Sequence, residues 1–321
     1  MTSDGPRRGG IDLGGTKIQA VVVDADNNVA GQARYPTPHE GGPQQVADSM
    51  AAAVREAAGQ AGTETSELLG IGIGSPGEID PGSGAVSNAK NLPNWTASFP
   101  LGPNLAQELG TKIAVGNDVD VATWAEFVLG AGRERNSVLG VFWGTGVGGG
   151  LVLGGKNWDG RGSAGEIGHM VVKRGGAICP CGNHGCVEAY AGRSAMEAEA
   201  RKRVESGHET DLFKLMDKHE KPRLTSGIWQ RALEHEDEMA KDLIERAVKA
   251  LGAGIASAVN LLDPEMVILG GGLGVRFGEH LGPRIEERMQ LNLFDHEHPP
   301  AFEVAALGDF GGALGAALLV E

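Results

Sequence analysis

Two glycine clusters, each flanked by short apolar runs, constrain the fold of this chain more than any other feature. The first, Gly14-Gly15-Thr16-Lys17, joins two predicted strands with the spacing of a β-hairpin. The second, residues 144–150, follows the predicted strand 138–143 and is a weak internal repeat of the first. Predicted helices alternate with the strands along the chain, and this interleaving indicates an α/β architecture.

The length of 321 residues is typical of about two domains. We place the boundaries near 117 and 304, where the hairpin-containing halves begin and end. If the apolar C-terminal helix packs on the first half, residues 1–117 plus 305–321 form a smaller, discontinuous α/β domain. Residues 118–304 then form a larger α/β domain that contains the cysteines.

Charge and apolar pattern exclude several classes of function. A net charge of −14 disfavours binding to nucleic-acid phosphates, which needs a basic surface. The sequence contains no apolar run of the about 20 residues that span a bilayer, and its N-terminus lacks an apolar signal core. We therefore expect a cytoplasmic protein without nucleic-acid or membrane partners.

The first glycine turn carries groups that suit a phosphate. Glycines at a hairpin tip expose backbone N–H groups to phosphate oxygens, Thr16 adds a hydroxyl, and Lys17 adds a cation. Asp12, just before Gly14 and Gly15, is placed to orient a hydrated Mg²⁺. The alternative is an ordinary Gly-Gly turn. A Walker loop is excluded, because its motif occurs nowhere in the sequence.

The second cluster contains Gly144, Thr145 and Gly146 within a literal G-x-G-x-x-G, the fingerprint of dinucleotide-binding sites. Such a site needs a helix directly after the glycines, whereas a strand and a turn are predicted there. A second literal match begins at Gly72, but Pro76 and the turn at Gly82 and Gly84 exclude a helix after it. Two glycine hairpins that face each other would instead bind the phosphates of a nucleotide from both sides.

Asn117 and Asp118 end a predicted strand, at the position where open α/β sheets bind ligands. A carboxylate there accepts a hydroxyl proton during phosphoryl transfer. The alternative is that Asn117 or Asp118 caps the helix that follows, a position that both residue types favour. Asp120 competes with Asp118 for either role.

The three cysteines of the chain lie within eight residues, at Cys179, Cys181 and Cys186. Three soft ligands in a glycine-rich loop indicate a tetrahedral zinc site, with His169 and His184 as candidates for the fourth ligand. Four protein ligands leave no open position, so the zinc would be structural. Unrelated buried cysteines and a redox pair are the alternatives.

Two carboxylates flank the cysteine segment, Glu166 before it and Glu188 after it. If zinc fixes the segment, both carboxylates are rigid and suit the bidentate recognition of neighbouring sugar hydroxyls. The alternative for each is a solvated surface charge. The segment around Glu166 is rich in glycine and has few side chains that could pack in a core, which favours a binding role for Glu166.

In combination these motifs resemble the ROK family of sugar kinases and repressors, from about residue 9 to 320, and within it the ATP-dependent bacterial glucokinases most closely. The resemblance is carried by the segments 12–17, 72–77, 117–118, 144–149, 166–169 and 179–188. The last two segments together are highly specific. The chain departs from the family pattern at Ala177, which replaces a common glycine, and at Lys90, which replaces a common proline.

The resemblance implies an α/β, actin/hexokinase-like (ribonuclease H-like) fold with two domains and an interdomain cleft. It implies Asp118 as the general base and several ligands for the sugar, which are Gly77, Asn91, Asn117, Asp118, Glu166, His169 and Glu188. His169 would bind sugar through one ring nitrogen and zinc through the other. The two glycine hairpins would bind ATP phosphates, and Gly270, Gly271 and Gly272 would lie against the adenosine.

The expected activity is phosphorylation of the glucose 6-hydroxyl by Mg-ATP. One alternative is a kinase for fructose, mannose, allose, N-acetylglucosamine or N-acetylmannosamine. Another is a sugar-responsive regulator, although only 11 residues precede Asp12 where repressors of the family carry a DNA-binding domain. A polyphosphate donor is disfavoured, because the acidic chain would repel a long polyanion. Family members of this kind imply a homodimer or homotetramer.

Overall fold

The computed structural model of the chain describes residues 5–320, which divide into two compact units. The first unit runs through Arg133 and resumes at Ala306, and the second is Glu134–Ala305. The first observed boundary lies later than position 117, because helix Asp118–Val128 packs on the C-terminal helix inside the first unit.

Strands and helices alternate along most of the chain. The strands are β1 (Arg8–Leu13), β2 (Lys17–Val23), β3 (Val29–Pro36), β4 (Ile71–Ser75), β5 (Glu78–Asp80), β6 (Ala85–Ser87), β7 (Ile113–Asn117), β8 (Val138–Trp143), β9 (Val147–Leu153), β10 (Lys156–Asn157), β11 (Met266–Gly270) and β12 (Ala301–Val304). The helices are α1 (Pro43–Gln60), α2 (Leu101–Leu109), α3 (Asp118–Val128), α4 (Glu188–Ala191), α5 (Arg193–Glu205), α6 (Leu212–Lys218), α7 (Ser226–Glu234), α8 (Glu238–Leu262), α9 (Gly271–Gln290) and α10 (Gly311–Ala317). Within residues 5–320, no helix is both long and apolar enough to cross a membrane.

The first unit is built on a five-stranded mixed sheet with the strand order β3-β2-β1-β4-β7. The hairpins β1–β2 and β2–β3 are antiparallel, whereas β1, β4 and β7 run parallel. Because successive side chains point to opposite faces, Val22 packs with α1 and Val21 packs with α10. The carboxyl ends of the parallel strands meet at one edge, where Asp12, Gly74 and Gly116 lie side by side.

The second unit repeats this arrangement around the second glycine hairpin. Its five-stranded sheet has the order β10-β9-β8-β11-β12, with an antiparallel pair β8–β9 and parallel pairs β8–β11 and β11–β12. The 25-residue helix α8 buries an apolar stripe that includes Leu243, Ala247 and Leu251, and it packs against α9. The weak similarity of the two glycine hairpins in the sequence therefore reflects a repeat of sheet topology.

Helix α9 begins at Gly271, directly after β11. The low helix propensity of glycine conceals this start in the sequence. Packing fixes it instead: Gly271 has a φ of +80°, and a Cβ there would lie 2.6 Å from the carbonyl oxygen of Trp143. The run from Gly270 to Gly272 is thus the junction between β11 and α9.

A buried carboxylate lies where the chain leaves the first unit and where it returns. Glu126 of α3 is 3% exposed. Its Oε2 accepts hydrogen bonds from the N–H groups of Ala131 and Ala306, each at 3.0 Å, and its Oε1 accepts one from Leu307 at 2.9 Å. One side chain therefore satisfies three backbone donors from two segments that are distant in sequence.

We expect Glu126→Ala to lower the free energy of unfolding by about 3 kcal/mol or more, because each buried donor that loses its acceptor costs about 1–3 kcal/mol. Chemical denaturation followed by circular dichroism measures the change. Glu56→Ala, on the exposed side of α1, is the matched control and should change the free energy by about 0.5 kcal/mol or less. Equal effects of the two variants would contradict the structural role of Glu126.

Candidate functional site

The turn between β1 and β2 is a tight glycine turn that is held from two sides. The Gly14 N–H donates to the Lys17 carbonyl oxygen at 2.9 Å, and the Thr37 hydroxyl donates to the Gly14 carbonyl oxygen at 2.6 Å. Thr16 is exposed at the tip, and Lys17 Nζ lies 3.3 Å from Asp309 Oδ1. The structure thus presents a hydroxyl and an ammonium group together on a fixed glycine backbone.

Asp12 lies near the end of β1 in a tightly packed environment. A Cβ added to Gly312 would lie 2.7 Å from Asp12 Cγ, so α10 approaches the carboxyl closely. Burial raises the pKa of the Asp12 carboxyl to about 6; nearby Lys17 opposes the rise, and Asp309 adds to it. A carboxylate removed from water in this way gains from a cation, which suits the predicted orientation of hydrated Mg²⁺.

The raised pKa predicts a stability effect with a definite sign. The contribution of Asp12 to folding is fully present below its ordinary pKa of 3.8 and is lost as the pH rises through about 6. We therefore expect Asp12→Asn to raise the free energy of unfolding at pH 8 by up to about 3 kcal/mol, at about 1.4 kcal/mol per pKa unit. At pH 4 the same substitution should raise the free energy of unfolding very little.

Denaturation of both proteins at the two pH values measures this difference. Asp26→Asn, at an exposed position in the turn between β2 and β3, is the control and should show no pH-dependent gain. An equal gain for Asp12→Asn at both pH values would contradict the account of Asp12.

Asn117 and Asp118 lie where β7 passes into α3. The Asn117 side-chain oxygen accepts hydrogen bonds from the N–H groups of Val119 at 2.9 Å and Asp120 at 3.3 Å. The capping role, one of the two predicted alternatives, is therefore confirmed for Asn117. Asp118 is the first residue of α3, where the positive end of the helix dipole favours a carboxylate.

Asp12 and Asp118 are brought to the same edge of the first sheet. Gly74 of β4 pairs with Asp12 on one side and with Gly116 of β7 on the other. A Cβ added to Gly74 would lie 3.5 Å from the Cα of Asp118. Residues without side chains therefore lie between the two aspartates along the sheet edge, and Gly74 and Gly116 let α3 approach the sheet closely.

Gly77 and Asn91 lie in the loops that follow β4 and β6. Gly77 has a φ of +99°, and a Cβ there would lie 2.5 Å from the Ser87 carbonyl oxygen, so only glycine fits. A Cβ added to Gly15 would lie 3.1 Å from the Asn91 carbonyl oxygen. The exposed Asn91 therefore lies directly against the first glycine turn.

In the second unit, the glycine turn between β8 and β9 is tied to the helices beside it. The Arg193 guanidinium donates to the Thr145 hydroxyl at 2.8 Å, and the Val147 N–H donates to Glu188 Oε2 at 2.9 Å. A Cβ added to Gly144 would lie 3.9 Å from the Gly272 nitrogen. The structure thus brings together the two glycine segments of this unit that were assigned to the nucleotide.

His169 and the three cysteines form a compact cluster in which one ligand atom of each residue lies within 4.8 Å of the others. His169 Nδ1 lies 3.6 Å from Cys179 Sγ, and the sulfur atoms of Cys181 and Cys186 lie 3.9 Å apart. A tetrahedron with Zn–S bonds of about 2.3 Å separates sulfur atoms by about 3.8 Å, so these residues fit a zinc ion.

His184, the other histidine considered as the fourth ligand, is not part of this cluster. Its side chain is exposed, and its Nδ1 lies 3.3 Å from the Gly176 carbonyl oxygen. Within the described residues, His169 is therefore the histidine that the fold offers to the three cysteines.

Glu166 and Glu188 both lie beside the cluster. Glu166 Oε2 lies 3.8 Å from His169 Nε2, the ring nitrogen that faces away from Cys179. Glu188 Oε1 lies 3.9 Å from Cys179 Sγ, while its other oxygen binds the glycine turn. The cluster and the second glycine turn therefore share a carboxylate.

Sequence reasoning missed three polar residues of these sites. Arg193 binds Thr145, and Asp309 accepts from both Lys17 and Arg34. Gln19 is buried in β2 directly across from Asp12. The available signal for Gln19 was an amide within the otherwise apolar run 18–23. The contacts of Arg193 and Asp309 depend on the tertiary fold.

Comparisons with known proteins agree with these motifs. The ROK family profile matches residues 8–321. The glucokinase of Thermotoga maritima is 33% identical over 315 residues, which cover 97% of this chain and 96% of that protein. The N-acetyl-D-glucosamine kinase of Pectobacterium atrosepticum is 33% identical over 321 residues, which cover 97% of each chain.

A solved structure extends the likeness to three dimensions. The ROK family glucokinase from Streptomyces griseus, in complex with glucose and AMPPNP, matches with a TM-score of 0.82 and 32% identity. The match covers 98% of this chain and 99% of that chain. The predicted α/β, actin/hexokinase-like fold is therefore confirmed.

Proposed function

Because this chain belongs to the ROK family and is a sugar kinase, we propose that it transfers the terminal phosphoryl group of Mg-ATP to the 6-hydroxyl of glucose. The observation that carries the proposal is the sheet edge where Asp12 and Asp118 flank Gly74. Phosphoryl transfer to an alcohol uses one carboxylate near the metal of the nucleotide and another for the hydroxyl proton. The glucokinases among its relatives support glucose as the acceptor.

Asp118 is the general base of this proposal. Its carboxylate takes the proton of the sugar 6-hydroxyl while the hydroxyl oxygen bonds to the γ-phosphorus. The bond from that phosphorus to the bridging oxygen breaks, and ADP leaves with the electron pair. Positioning of the two substrates and neutralisation of phosphate charge supply most of the remaining rate gain.

The nucleotide is assigned to the glycine segments identified in the sequence. Asp12 orients the hydrated Mg²⁺ of the substrate, and the backbone of the two glycine turns receives the phosphates. The assigned residues of the turns are Gly14, Gly15, Thr16, Lys17, Gly144, Thr145 and Gly146. The start of α9, at Gly270, Gly271 and Gly272, is assigned to the adenosine, and the contact between Gly144 and Gly272 supports that placement.

The sugar is assigned to polar groups that the structure holds in fixed orientations. The cap of α3 engages the amide oxygen of Asn117, and we assign its NH₂ group to a sugar oxygen. Glu188 is fixed by its bond from Val147 and is assigned to sugar hydroxyls. The remaining assigned residues are Gly77, Asn91, Asp118, Glu166 and His169.

We also propose one structural Zn²⁺ per chain, bound by His169, Cys179, Cys181 and Cys186. The spacing of the ligand atoms supports this assignment. Four protein ligands leave zinc without an open position, so its chemistry is to hold the segment rigid. His169 binds zinc through Nδ1, and its Nε2, on the side of Glu166, is assigned to the sugar.

The second candidate function is phosphorylation of an N-acetylated hexosamine. It is favoured by the N-acetyl-D-glucosamine kinase of Pectobacterium atrosepticum, whose identity to this chain, 33%, equals that of the Thermotoga maritima glucokinase. The two functions share the base, the nucleotide residues and the zinc ligands. They differ in what the site accepts at the 2-position of the sugar.

A coupled assay of ADP release distinguishes the candidates. The sugars are glucose, mannose, fructose, allose, N-acetylglucosamine and N-acetylmannosamine, each with Mg-ATP. We expect kcat/KM for glucose to exceed every other value by about tenfold or more. A higher kcat/KM for an N-acetylated sugar would contradict glucose as the substrate but keep the proposed phosphoryl transfer. No ADP release with any sugar would contradict the proposed reaction itself.

A further inference from the structure

Gln19 carries a buried amide that the fold leaves unpaired. The residue lies in β2 and is 1% exposed. Among residues 5–320, neither its Oε1 nor its Nε2 has a hydrogen-bond partner. A buried amide without a partner costs folding free energy, and groups of this kind in a native structure require an explanation.

The neighbours of Gln19 in the sheet are charged residues of the two adjacent strands. Gln19 pairs with Asp12 of β1 on one side and with Arg34 of β3 on the other. Residues paired across strands share a face of the sheet, with Cβ atoms about 4.5–5.5 Å apart. The amide therefore lies within side-chain reach of the Asp12 carboxyl.

The cations on this face are engaged elsewhere. The Arg34 guanidinium lies 2.7 Å from Asp309 Oδ2, and Lys17 Nζ lies 3.3 Å from Asp309 Oδ1. Gln19 is thus the neutral donor next to Asp12. A neutral N–H orients a carboxylate without cancelling its charge, whereas a lysine or arginine there would compete with a metal ion for Asp12.

We propose that Gln19 is a positioning residue for Asp12: its amide N–H donates to the Asp12 carboxylate when Mg-ATP is bound and fixes the direction in which the carboxylate faces the hydrated metal. The inference rests on the proposed function of the chain as a kinase that uses Mg-ATP. It explains the buried, unpaired amide, which costs folding free energy, by a role in substrate binding.

The test compares Gln19→Met with Gln32→Met. Methionine keeps the length of glutamine and removes its hydrogen bonds, and Gln32 is an exposed glutamine on neighbouring β3. Calorimetry should show the Kd of Mg-ATP raised about tenfold by Gln19→Met, as expected for a lost hydrogen bond to a charged group. The KM for sugar should change less than about twofold, and the Tm of the unliganded protein should stay equal or rise. Gln32→Met should change none of these.

A double-mutant cycle with Asp12→Asn separates positioning from packing. If Gln19 acts through Asp12, Gln19→Met should raise the Kd of Mg-ATP no further in the Asp12→Asn background. If the unaltered chain binds Mg-ATP and Gln19→Met binds it with the same Kd, the role of Gln19 is contradicted and the proposed function is not. An unaltered chain that does not bind Mg-ATP would overturn the proposed function, and this role of Gln19 with it.

Discussion

Asp118→Asn is expected to lower kcat by about 10²–10⁴-fold, the usual contribution of a general base. Asparagine keeps the shape of the side chain and the start of α3 but cannot accept the hydroxyl proton at neutral pH. The Kd values of glucose and Mg-ATP should change by no more than a few-fold, because the other assigned ligands remain. Steady-state kinetics with glucose and calorimetry with each substrate measure these quantities.

Asp120→Asn is the matched control, because Asp120 lies in the same first turn of α3 and was the rival for the role of base. It should retain most of the kcat. Near wild-type turnover by Asp118→Asn would overturn Asp118 as the base. A loss confined to Asp120→Asn would assign the base to Asp120.

Loss of the cysteine–histidine cluster is expected to weaken glucose binding strongly. In Cys186→Ser one ligand of the proposed zinc is weakened at a buried position, and His169→Ala removes a proposed zinc ligand that is also assigned to the sugar. Both variants should contain less than one zinc per chain by elemental analysis. They should raise the KM for glucose up to about 100-fold, because the segment that holds the assigned sugar ligands loses its metal. The Kd of Mg-ATP should change far less.

The matched control for the cluster is His184→Ala, because His184 lies on the same loop with an exposed ring outside the cluster. It should keep both its zinc and its KM for glucose. Full activity of a zinc-free chain would contradict the proposal that the metal holds the sugar ligands. Loss of zinc in His184→Ala would contradict the assignment of the fourth ligand.

Features that depend on local patterns were predictable from the sequence. The two glycine hairpins follow from apolar runs around glycine turns, and both form as expected. The spacing from Cys179 to Cys186 predicted three clustered thiols, and the structure brings them together. In each case the chemistry lies within a few consecutive residues, so backbone geometry alone fixes the arrangement.

Features that depend on distant contacts were not predictable in this way. Cysteine spacing did not distinguish His169 from His184 as the fourth ligand. In the fold, the His184 ring lies towards Gly176 and away from the cysteines. The start of α9 at Gly271 opposes local propensity and is fixed by packing on Trp143. Glu126 resembles any helical glutamate in the sequence, because two of its three partners come from a segment about 180 residues away.

The most direct test of the central proposal is ³¹P NMR of the purified chain mixed with glucose and Mg-ATP. We expect the β- and γ-phosphate signals of ATP to be replaced by those of ADP and by one phosphomonoester, whose coupling to the two C6 protons identifies glucose 6-phosphate. Asp118→Asn under the same conditions should leave the ATP signals intact. Release of free inorganic phosphate without a sugar ester, or phosphorylation at another hydroxyl, would contradict the proposed reaction.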